Sequence, residues 1–452
     1  MKQRQRIPLL YKILYFITKF NIDFLYYRKT YYLNTKNIPS SDTPLIIVSN
    51  HQNSLNDAMA ILYSMKIRRP HFMARADVFK NPFAAKFLSF AGVLPVYRQR
   101  DGMENVKQNL SVFSNIEAFI SRGNTVVLYP EAMHQDRHFL GRFYLSYTRL
   151  AFGAAEDSNF EKEVFILPSA NHYSDYFHMQ EDMLQIYGKP ISLKPYYELY
   201  KVQPREAQMK VNDMVRAQVE SLMLNIEDEE NYDAIYFLLK TYGKKFAYDK
   251  HGNPNILPLK LKTDQALVAI LKKAYVQRED FVKNLYADAF HYKKELEELK
   301  VEDGMINRTI RISKLLSSSI VLILTFPIFI YGLLHHIIPY HAPKLINRKI
   351  KDKLLHPSVF IGLNALLLIP ILYILYFVLC LVFTHSLLIA FIYLLTLPLS
   401  ARLAWNYRKY FLRFLQKVRL YHYKRTMNPR FDRALFLRFG LYQSMDILVD
   451  EI

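Results

Sequence analysis

The stretch LIIVSNHQNSLND, residues 45–57, holds the side chains that proton transfer requires. Its first four residues are apolar and rich in β-branched side chains, which predicts a short buried strand that ends just before His51. An imidazole can take a proton from a hydroxyl near neutral pH because its unperturbed pKa is about 6.5. A carboxylate beside it would fix the tautomer and stabilise the imidazolium. We therefore predict that His51 is a general base and that Asp57 orients it.

The same residues also permit a purely structural interpretation. Ser54 and Asp57 have the spacing of a capping box, in which Asp57 would only satisfy backbone donors at the start of a helix. The segments that follow in the chain favour the catalytic interpretation.

Two later segments also place reactive side chains directly after a strand. Residues 92–98, GVLPVYR, end in Arg98, and residues 128–131, LYPE, end in Glu131. The ends of such strands meet at one edge of an α/β sheet, where ligands commonly bind. Arg98 offers a planar fork for a phosphate group. Glu131 would orient a substrate hydroxyl or order the arginines.

In this order and spacing, the segments resemble the sequence blocks of the glycerophospholipid acyltransferase family. The resemblance covers residues 41–193, about a third of the chain. The residues that match the four blocks and the closing segment are, in order, Asn50, His51 and Asp57; Gly92 and Arg98; Tyr129, Pro130 and Glu131; Ile166, Leu167 and Pro168; and Gly188 to Ile191.

The chain departs from the family pattern in two places. Five residues separate His51 from Asp57 instead of four, and Asn56 stands where the aspartate is usually found. The extra residue must be absorbed in a turn before the helix. The third block has Ala132 and His134 in place of the usual glycine and small hydroxyl residue.

The resemblance implies a direct acyl transfer. His51 removes a proton from a glycerol hydroxyl, and the oxygen attacks a thioester without an acyl-enzyme. Backbone donors near the helix start are expected to stabilise the oxyanion. The expected acceptor and phosphate site contains Arg98, Glu131, Gly92, Pro130 and Arg75, and Arg137 and Arg142 are further candidates. No metal and no cofactor is expected; acyl-CoA or acyl-acyl carrier protein would be the co-substrate.

The function that the resemblance implies is acyl transfer to 1-acyl-sn-glycerol-3-phosphate, giving phosphatidate in phospholipid biosynthesis. Several alternatives stay open. The acceptor could be glycerol-3-phosphate or dihydroxyacetone phosphate, which the longer spacing between His51 and Asp57 favours. The protein could also be a lysophospholipid transacylase, or a catalytically silent membrane scaffold with the same fold.

The expected fold is α/β, a mixed sheet flanked by helices as in glycerolipid acyltransferases, with a helical extension and C-terminal membrane helices. Between residues 43 and 193, short strand patterns alternate with helical ones. The predicted parts are a region with an N-terminal interfacial amphipathic helix (1–40), an acyltransferase domain (41–200), a helical extension (201–312), a membrane-embedded segment (313–343), a transmembrane hairpin (359–405) and a basic cytoplasmic tail (406–452).

The formal net charge of +20 indicates which partners to expect. Lysine and arginine flank the apolar segments, which favours an anionic lipid membrane and phosphate-bearing ligands. Nucleic acid is not expected as a partner, because the sequence contains no signature of a nucleic-acid-binding fold. The single cysteine, Cys380, excludes an intramolecular disulfide.

Two long runs without charged residues predict membrane segments, 315–343 and 359–401. The second run is interrupted at Thr384-His385-Ser386, which predicts a hairpin of two spans with basic, cytoplasmic ends. The first run has basic residues at both ends, so we expect a re-entrant or shallow hairpin bent at Pro327 and Gly332. Its histidines, His335, His336 and His341, are interpreted as interfacial residues and not as metal ligands.

The N-terminal region and the basic loops bear on localisation. Residues 7–33 are apolar and tyrosine-rich but interrupted by charges, which predicts an interfacial amphipathic helix and not a signal peptide. A helix packed on the catalytic domain is the alternative. Together these features favour a bacterial inner membrane with a cytoplasmic catalytic domain, and an endoplasmic reticulum protein is the alternative.

Overall fold

The computed structural model describes residues 7–65, 68–96, 103–131 and 137–451. The chain divides into two compact units. One is formed by residues 1–225 together with 343–367, and the other by residues 226–342 together with 368–452.

The first unit is built on a mixed β-sheet. Its strands, among the residues described, are β1 (Lys29–Leu33), β2 (Leu45–Ser49), β3 (Pro70–Arg75), β4 (Val93–Val96), β5 (Thr125–Leu128), β6 (Phe165–Tyr173), β7 (Asp182–Tyr187) and β8 (Ile191–Ser192). The order across the sheet is β1-β7-β6-β2-β5-β3-β4, and β8 pairs with β6. The β6–β7 and β6–β8 pairs are antiparallel, and the others are parallel. This confirms the α/β class with a mixed sheet.

Strand β2 lies in the middle of this sheet, and all five of its residues are buried. Ile46 and Val48 pack into one hydrophobic cluster and Leu45 and Ile47 into another, so the strand is covered on both faces. This is the pattern that an uninterrupted apolar run predicts for a parallel strand. The flanking helices are α2 (Leu55–Ser64), α3 (Pro82–Ala91), α4 (Met103–Ser121), α5 (Ser146–Asp157), α6 (Tyr197–Val202) and α7 (Pro204–Leu222).

The N-terminal region is not one helix. Helix α1 (Leu9–Phe20) continues as a π-helical turn to Tyr26, and the chain then enters β1. The helix predicted for this region is therefore wrong beyond Tyr26. Strand β1 pairs with β7, and Arg28 donates two hydrogen bonds, each 2.8 Å, to the carboxylate of Asp182 at the start of β7.

Two kinds of helix make up the second unit. The expected extension is helical, with α8 (Tyr232–Lys240), α9 (Tyr242–His251), α10 (Leu257–Gln277), α11 (Glu279–Leu299) and α12 (Asp303–Ile306). The long apolar elements are α13 (Ile312–Asn347), which runs on into the first unit, α15 (Ile369–Thr384) and α16 (Leu387–Arg425), followed by α17 (Pro429–Glu451). The short helix α14 (His356–Leu363) precedes α15 in the chain and belongs to the first unit.

Three stretches in the described part of the chain are long and apolar enough to cross a membrane, namely Ile312–Asn347, Lys353–Thr384 and Leu387–Arg425. The break between the last two falls at His385 and Ser386, where the hairpin turn was predicted.

The first apolar run is one continuous helix of 36 residues, so the bent hairpin predicted there is wrong. Gly332 lies within this helix. It allows a close approach to α16, because a Cβ atom at this position would collide with the carbonyl oxygen of Ser400. Small residues at helix crossings in membranes commonly have this role.

Candidate active site

His51 and Asp57 form a hydrogen-bonded pair just beyond the end of β2. The His51 Nδ1 atom lies 2.9 Å from Oδ2 of Asp57, whose side chain is fully buried, whereas that of His51 is 20% exposed. Because a carboxylate accepts and does not donate, Nδ1 carries the hydrogen. Proton exchange with a substrate must therefore take place at Nε2, as in a general base held by a carboxylate.

The residues between the pair form a tight turn, and this turn absorbs the extra residue noted in the sequence. Ser54 has φ +47° and ψ −117°, and α2 begins at the next residue. The backbone amides of Gln52 and Asn53 each donate a 2.9 Å hydrogen bond to Oδ2 of Asp57. Asp57 thus satisfies backbone donors and also orients His51, so the two interpretations of this residue are compatible.

Asn50 fixes the residue before His51 to the neighbouring strand. Its side-chain amide donates to the carbonyl of Asn171 across 3.0 Å, and its Oδ1 accepts from the Asn171 amide across 2.7 Å. The side chain is fully buried and extends the pairing between β2 and β6 beyond their last backbone contact at Ser49 and Ser169.

Glu131 lies beside the same turn and binds main-chain groups. Its Oε1 accepts from the His51 amide and its Oε2 from the Gly141 amide, both across 2.8 Å. Burial raises the pKa of the Glu131 carboxyl, and the two backbone hydrogen bonds oppose that increase. In this position Glu131 positions His51 and the loop at Gly141, a role that the sequence did not indicate.

The other residues predicted for the acceptor site are placed differently. Arg75 is the last residue of β3, whose carboxyl end lies at the same edge of the sheet as that of β2. Pro130 is buried in the turn after β5. Gly92 lies at the opposite edge, beside Arg69 and His71, where its φ of +86° serves the turn before β4. It is therefore a turn residue and does not line the edge with His51.

Three residues of the prediction, Arg98, Ala132 and His134, lie outside the described residues. The further candidates Arg137 and Arg142 are both exposed. The carbonyl of Arg137 accepts a 3.2 Å hydrogen bond from the side chain of Gln52, next to His51.

The region that contains the His51–Asp57 pair matches a known protein family. Residues 29–171 match a family model described as "Acyltransferase". The chain is 26% identical over 134 residues to the 1-acyl-sn-glycerol-3-phosphate acyltransferase BAT2 of Brassica napus chloroplasts. It is 29% identical over 108 residues to the corresponding LPAT1 of Arabidopsis thaliana. Residues 29–171 are therefore an acyltransferase domain, and the chain is similar in sequence to glycerophospholipid acyltransferases.

The alignments are partial. The two plant alignments cover 29% and 24% of this chain and 37% and 28% of the relatives, so the chain spans about a third of their length. Among solved structures, the 1-acyl-sn-glycerophosphate acyltransferase PlsC of Thermotoga maritima is similar with a TM-score of 0.35 and 16% identity, over 47% of this chain and 78% of that one.

Within the acyltransferase domain, the backbone amides expected to stabilise an oxyanion already have acceptors. Those of Gln52 and Asn53 donate to Asp57, that of His51 to Glu131, and that of Leu55 to Ser358. These four amides are therefore not available to an oxyanion, and the expectation for them is wrong. They hold the His51–Asp57 pair in place.

Two aromatic residues complete the site. The Tyr173 hydroxyl donates to Oδ1 of Asp57 across 2.7 Å. The Tyr129 ring stacks on the His51 imidazole, with centroids 4.2 Å apart and planes at 17°. Tyr129 was noted in the sequence only as part of the third block. No local pattern identified Tyr173, because it follows His51 by more than a hundred residues.

Proposed function

We propose that this protein transfers a fatty acyl group from an acyl thioester to the free hydroxyl of 1-acyl-sn-glycerol-3-phosphate, giving phosphatidate. The observation that carries the proposal is the His51–Asp57 pair at the carboxyl edge of the parallel strands, inside the acyltransferase domain. The names of the plant relatives, both 1-acyl-sn-glycerol-3-phosphate acyltransferases, support the choice of acceptor.

The chemistry needs one base. Nε2 of His51 takes the proton of the acceptor hydroxyl, while Asp57 stabilises the imidazolium that forms. The acceptor oxygen attacks the thioester carbonyl and forms the new C–O bond. When the C–S bond breaks, the thiolate receives the proton from His51 and leaves as a free thiol. Atoms and charges balance without a covalent enzyme intermediate.

Arginines would hold the acceptor phosphate. Arg75 ends β3, and in sequence Arg98 comes two residues after the last residue of β4. The adjacent parallel strands β3 and β4 end at the same edge as β2. Guanidinium groups suit a phosphate because they donate in a planar fork.

The membrane would supply both substrates, because acyl chains partition into lipid. The three long apolar helices support an integral membrane protein, and the basic residues that flank them favour a cytoplasmic catalytic domain in a bacterial inner membrane. Helix α1 would lie in the interface. One of its residues, Tyr15, packs against Tyr63, and its exposed apolar side chains are Leu9, Leu10, Ile13, Phe16, Ile17 and Phe20.

A second acceptor, glycerol-3-phosphate, is favoured by the longer spacing between His51 and Asp57. The test uses membranes that contain the protein, a labelled acyl-CoA and either acceptor. Product from lysophosphatidate alone supports the proposal, and product from glycerol-3-phosphate assigns the protein to the first acylation.

Two variants identify the base. His51→Ala is expected to abolish product. His178→Ala is the matched control, because it removes an imidazole from a second His–Asp pair, with a 2.8 Å contact and a 69% exposed histidine side chain. Activity retained in His51→Ala would contradict the mechanism. Wild-type membranes silent with both acceptors, also with acyl-acyl carrier protein, would contradict the proposed function and favour a transacylase or a silent scaffold.

A further inference from the structure

Ser358 contacts the turn between His51 and Asp57 although it is about 300 residues away in sequence. The Leu55 amide donates to the Ser358 hydroxyl oxygen across 2.9 Å. The same hydroxyl donates to the carbonyl of Asn53 across 3.4 Å. Ser358 is 7% exposed, so water has little access to these hydrogen bonds.

The two backbone groups that Ser358 joins lie on either side of Ser54. With φ +47°, Ser54 has a left-handed backbone, which is unfavourable for a residue with a Cβ atom and persists only where its surroundings impose it. The Leu55 amide is also one of the first amides of α2, which have no acceptor within the helix. Ser358 thus supplies an acceptor to the start of the helix that carries Asp57 and bridges the strained residue.

Packing keeps Ser358 in this position. Helix α14, which contains Ser358, contributes Ile361 to a hydrophobic cluster with Ala60 of α2 and Tyr173. Ala365, just after the helix, belongs to the same cluster, and its carbonyl accepts a 3.2 Å hydrogen bond from the side chain of Asn21. Gly362 lies against Leu55, with 3.3 Å between a Cβ built on the glycine and Cδ2 of Leu55.

We propose that Ser358 is a positioning residue for the His51–Asp57 pair. It holds the turn around Ser54 in the one conformation that places Asp57 on Nδ1 of His51. The segment 343–367 is then part of the active site as well as the connection between two apolar helices. The effect on catalysis rests on the proposed function, whereas the effect on the turn does not.

The consequence for the chain is that its catalytic geometry depends on residues outside the region matched by the family model, which ends at residue 171. The extra residue between His51 and Asp57 creates the strained turn, and Ser358 stabilises it. A domain without this segment would contain His51 and Asp57 but not the contact that fixes the backbone between them.

The test compares full-length Ser358→Ala, Ser358→Thr and Ser192→Ala in membranes. Ser192, the last residue of β8, is the matched control because its hydroxyl also accepts a backbone hydrogen bond, from Lys194 across 3.2 Å. Losing a hydrogen bond of ordinary strength predicts that kcat of Ser358→Ala falls roughly three- to tenfold, with KM for both substrates within about twofold of wild type. Ser358→Thr, which keeps the hydroxyl, should recover most of the activity.

Hydrogen–deuterium exchange gives a readout that does not depend on the substrate. In Ser358→Ala, amides of residues 51–57 should exchange roughly three- to tenfold faster, with other segments unchanged. Exchange and kcat equal to wild type would overturn the proposal, as would faster exchange throughout the protein, which indicates general destabilisation. If wild type proves inactive with every acceptor, the proposed function fails, and local exchange still decides the role of Ser358.

Discussion

Tyr173 donates its phenolic hydrogen to Oδ1 of Asp57, and the other carboxylate oxygen of Asp57 binds His51. Burial, followed by the negative charge of Asp57, raises the pKa of Tyr173 well above its ordinary value. The phenol therefore stays protonated and remains a donor at any pH at which the protein works. It draws part of the carboxylate charge away from the imidazole.

Tyr173→Phe is expected to slow catalysis. Without the phenol, Oδ1 of Asp57 loses a buried hydrogen-bond donor, so the carboxylate is held less firmly on Nδ1 of His51. We expect kcat to fall by roughly threefold to tenfold. The control is Tyr176→Phe, which removes a buried hydroxyl that donates to Gln52 and not to Asp57. An unchanged kcat in Tyr173→Phe, or an equal loss in the control, would contradict this role.

The positioning role of Glu131 can be tested by substitutions at either residue of its contact with Gly141. In Glu131→Gln, one of the two backbone amides would face an NH2 group instead of an oxygen, which leaves a buried donor unsatisfied. In Gly141→Ala, the new Cβ would lie 2.9 Å from Oε2 of Glu131 and displace it. Both variants should lose roughly tenfold or more in kcat. Gly304→Ala is the control, because no atom lies within 4 Å of its Cβ position. Full activity in Gly141→Ala would argue against the positioning role.

The sequence predicted those parts of the site that depend on local patterns. His51 and Glu131 come shortly after apolar strands, so their common edge could be inferred from strand ends alone. The turn at Ser54 also followed from the spacing. Several contacts that fix the pair are non-local: Asp57 and Tyr173 are separated by 116 positions, and Leu55 and Ser358 by 303. No periodicity or motif contains such a pairing.

The two wrong predictions, a helix where β1 lies and a bent hairpin in the first apolar run, were made from local patterns alone. Strand β1 is defined by its parallel partner β7, and Tyr31 and Tyr32 by themselves also fit a helix surface. For the first apolar run, flanking charges suggested a bent hairpin, whereas the chain forms one continuous helix in which Gly332 lies against the backbone of Ser400. Flanking charges predict on which side of the membrane the ends of a helix lie, whereas packing against neighbouring helices determines how the helix is oriented.

His71 should make the acyltransferase domain sensitive to acid. Burial, followed by the charge of Arg69, lowers the pKa of His71 to about 4 from an ordinary 6.5. Because the pKa of His71 is lower in the folded state, the unfolded chain binds a proton there that the folded chain does not bind. The contribution of His71 to the free energy of unfolding is therefore complete above pH 6.5 and is lost as the pH falls toward 4. At pH 5 the loss is on the order of 2 kcal/mol.

The measurement is the unfolding free energy of wild type and His71→Gln between pH 7 and pH 5. The variant is less stable at pH 7, because the ring contact with Phe119 is lost, but its stability should fall less with acid. His251→Gln, at an exposed position, controls for general effects of removing a histidine. Equal pH slopes for wild type and His71→Gln would show that His71 does not account for the acid sensitivity.

Gly332 should be essential to the contact between α13 and α16. A larger residue must separate the helices, because the atom that its Cβ would meet is the backbone oxygen of Ser400 and cannot turn away as a side chain can. Two polar contacts join the same helices, Tyr331 to Thr396 across 2.6 Å and His335 to Tyr393 across 2.7 Å. Separation would lengthen both. Gly332→Leu is therefore expected to cost about 1–3 kcal/mol of unfolding free energy, measured in detergent micelles.

Gly440→Leu is the control in the same unit, because its Cβ position has no atom within 4 Å. If the two variants unfold alike, the close approach at Gly332 does not stabilise the membrane helices.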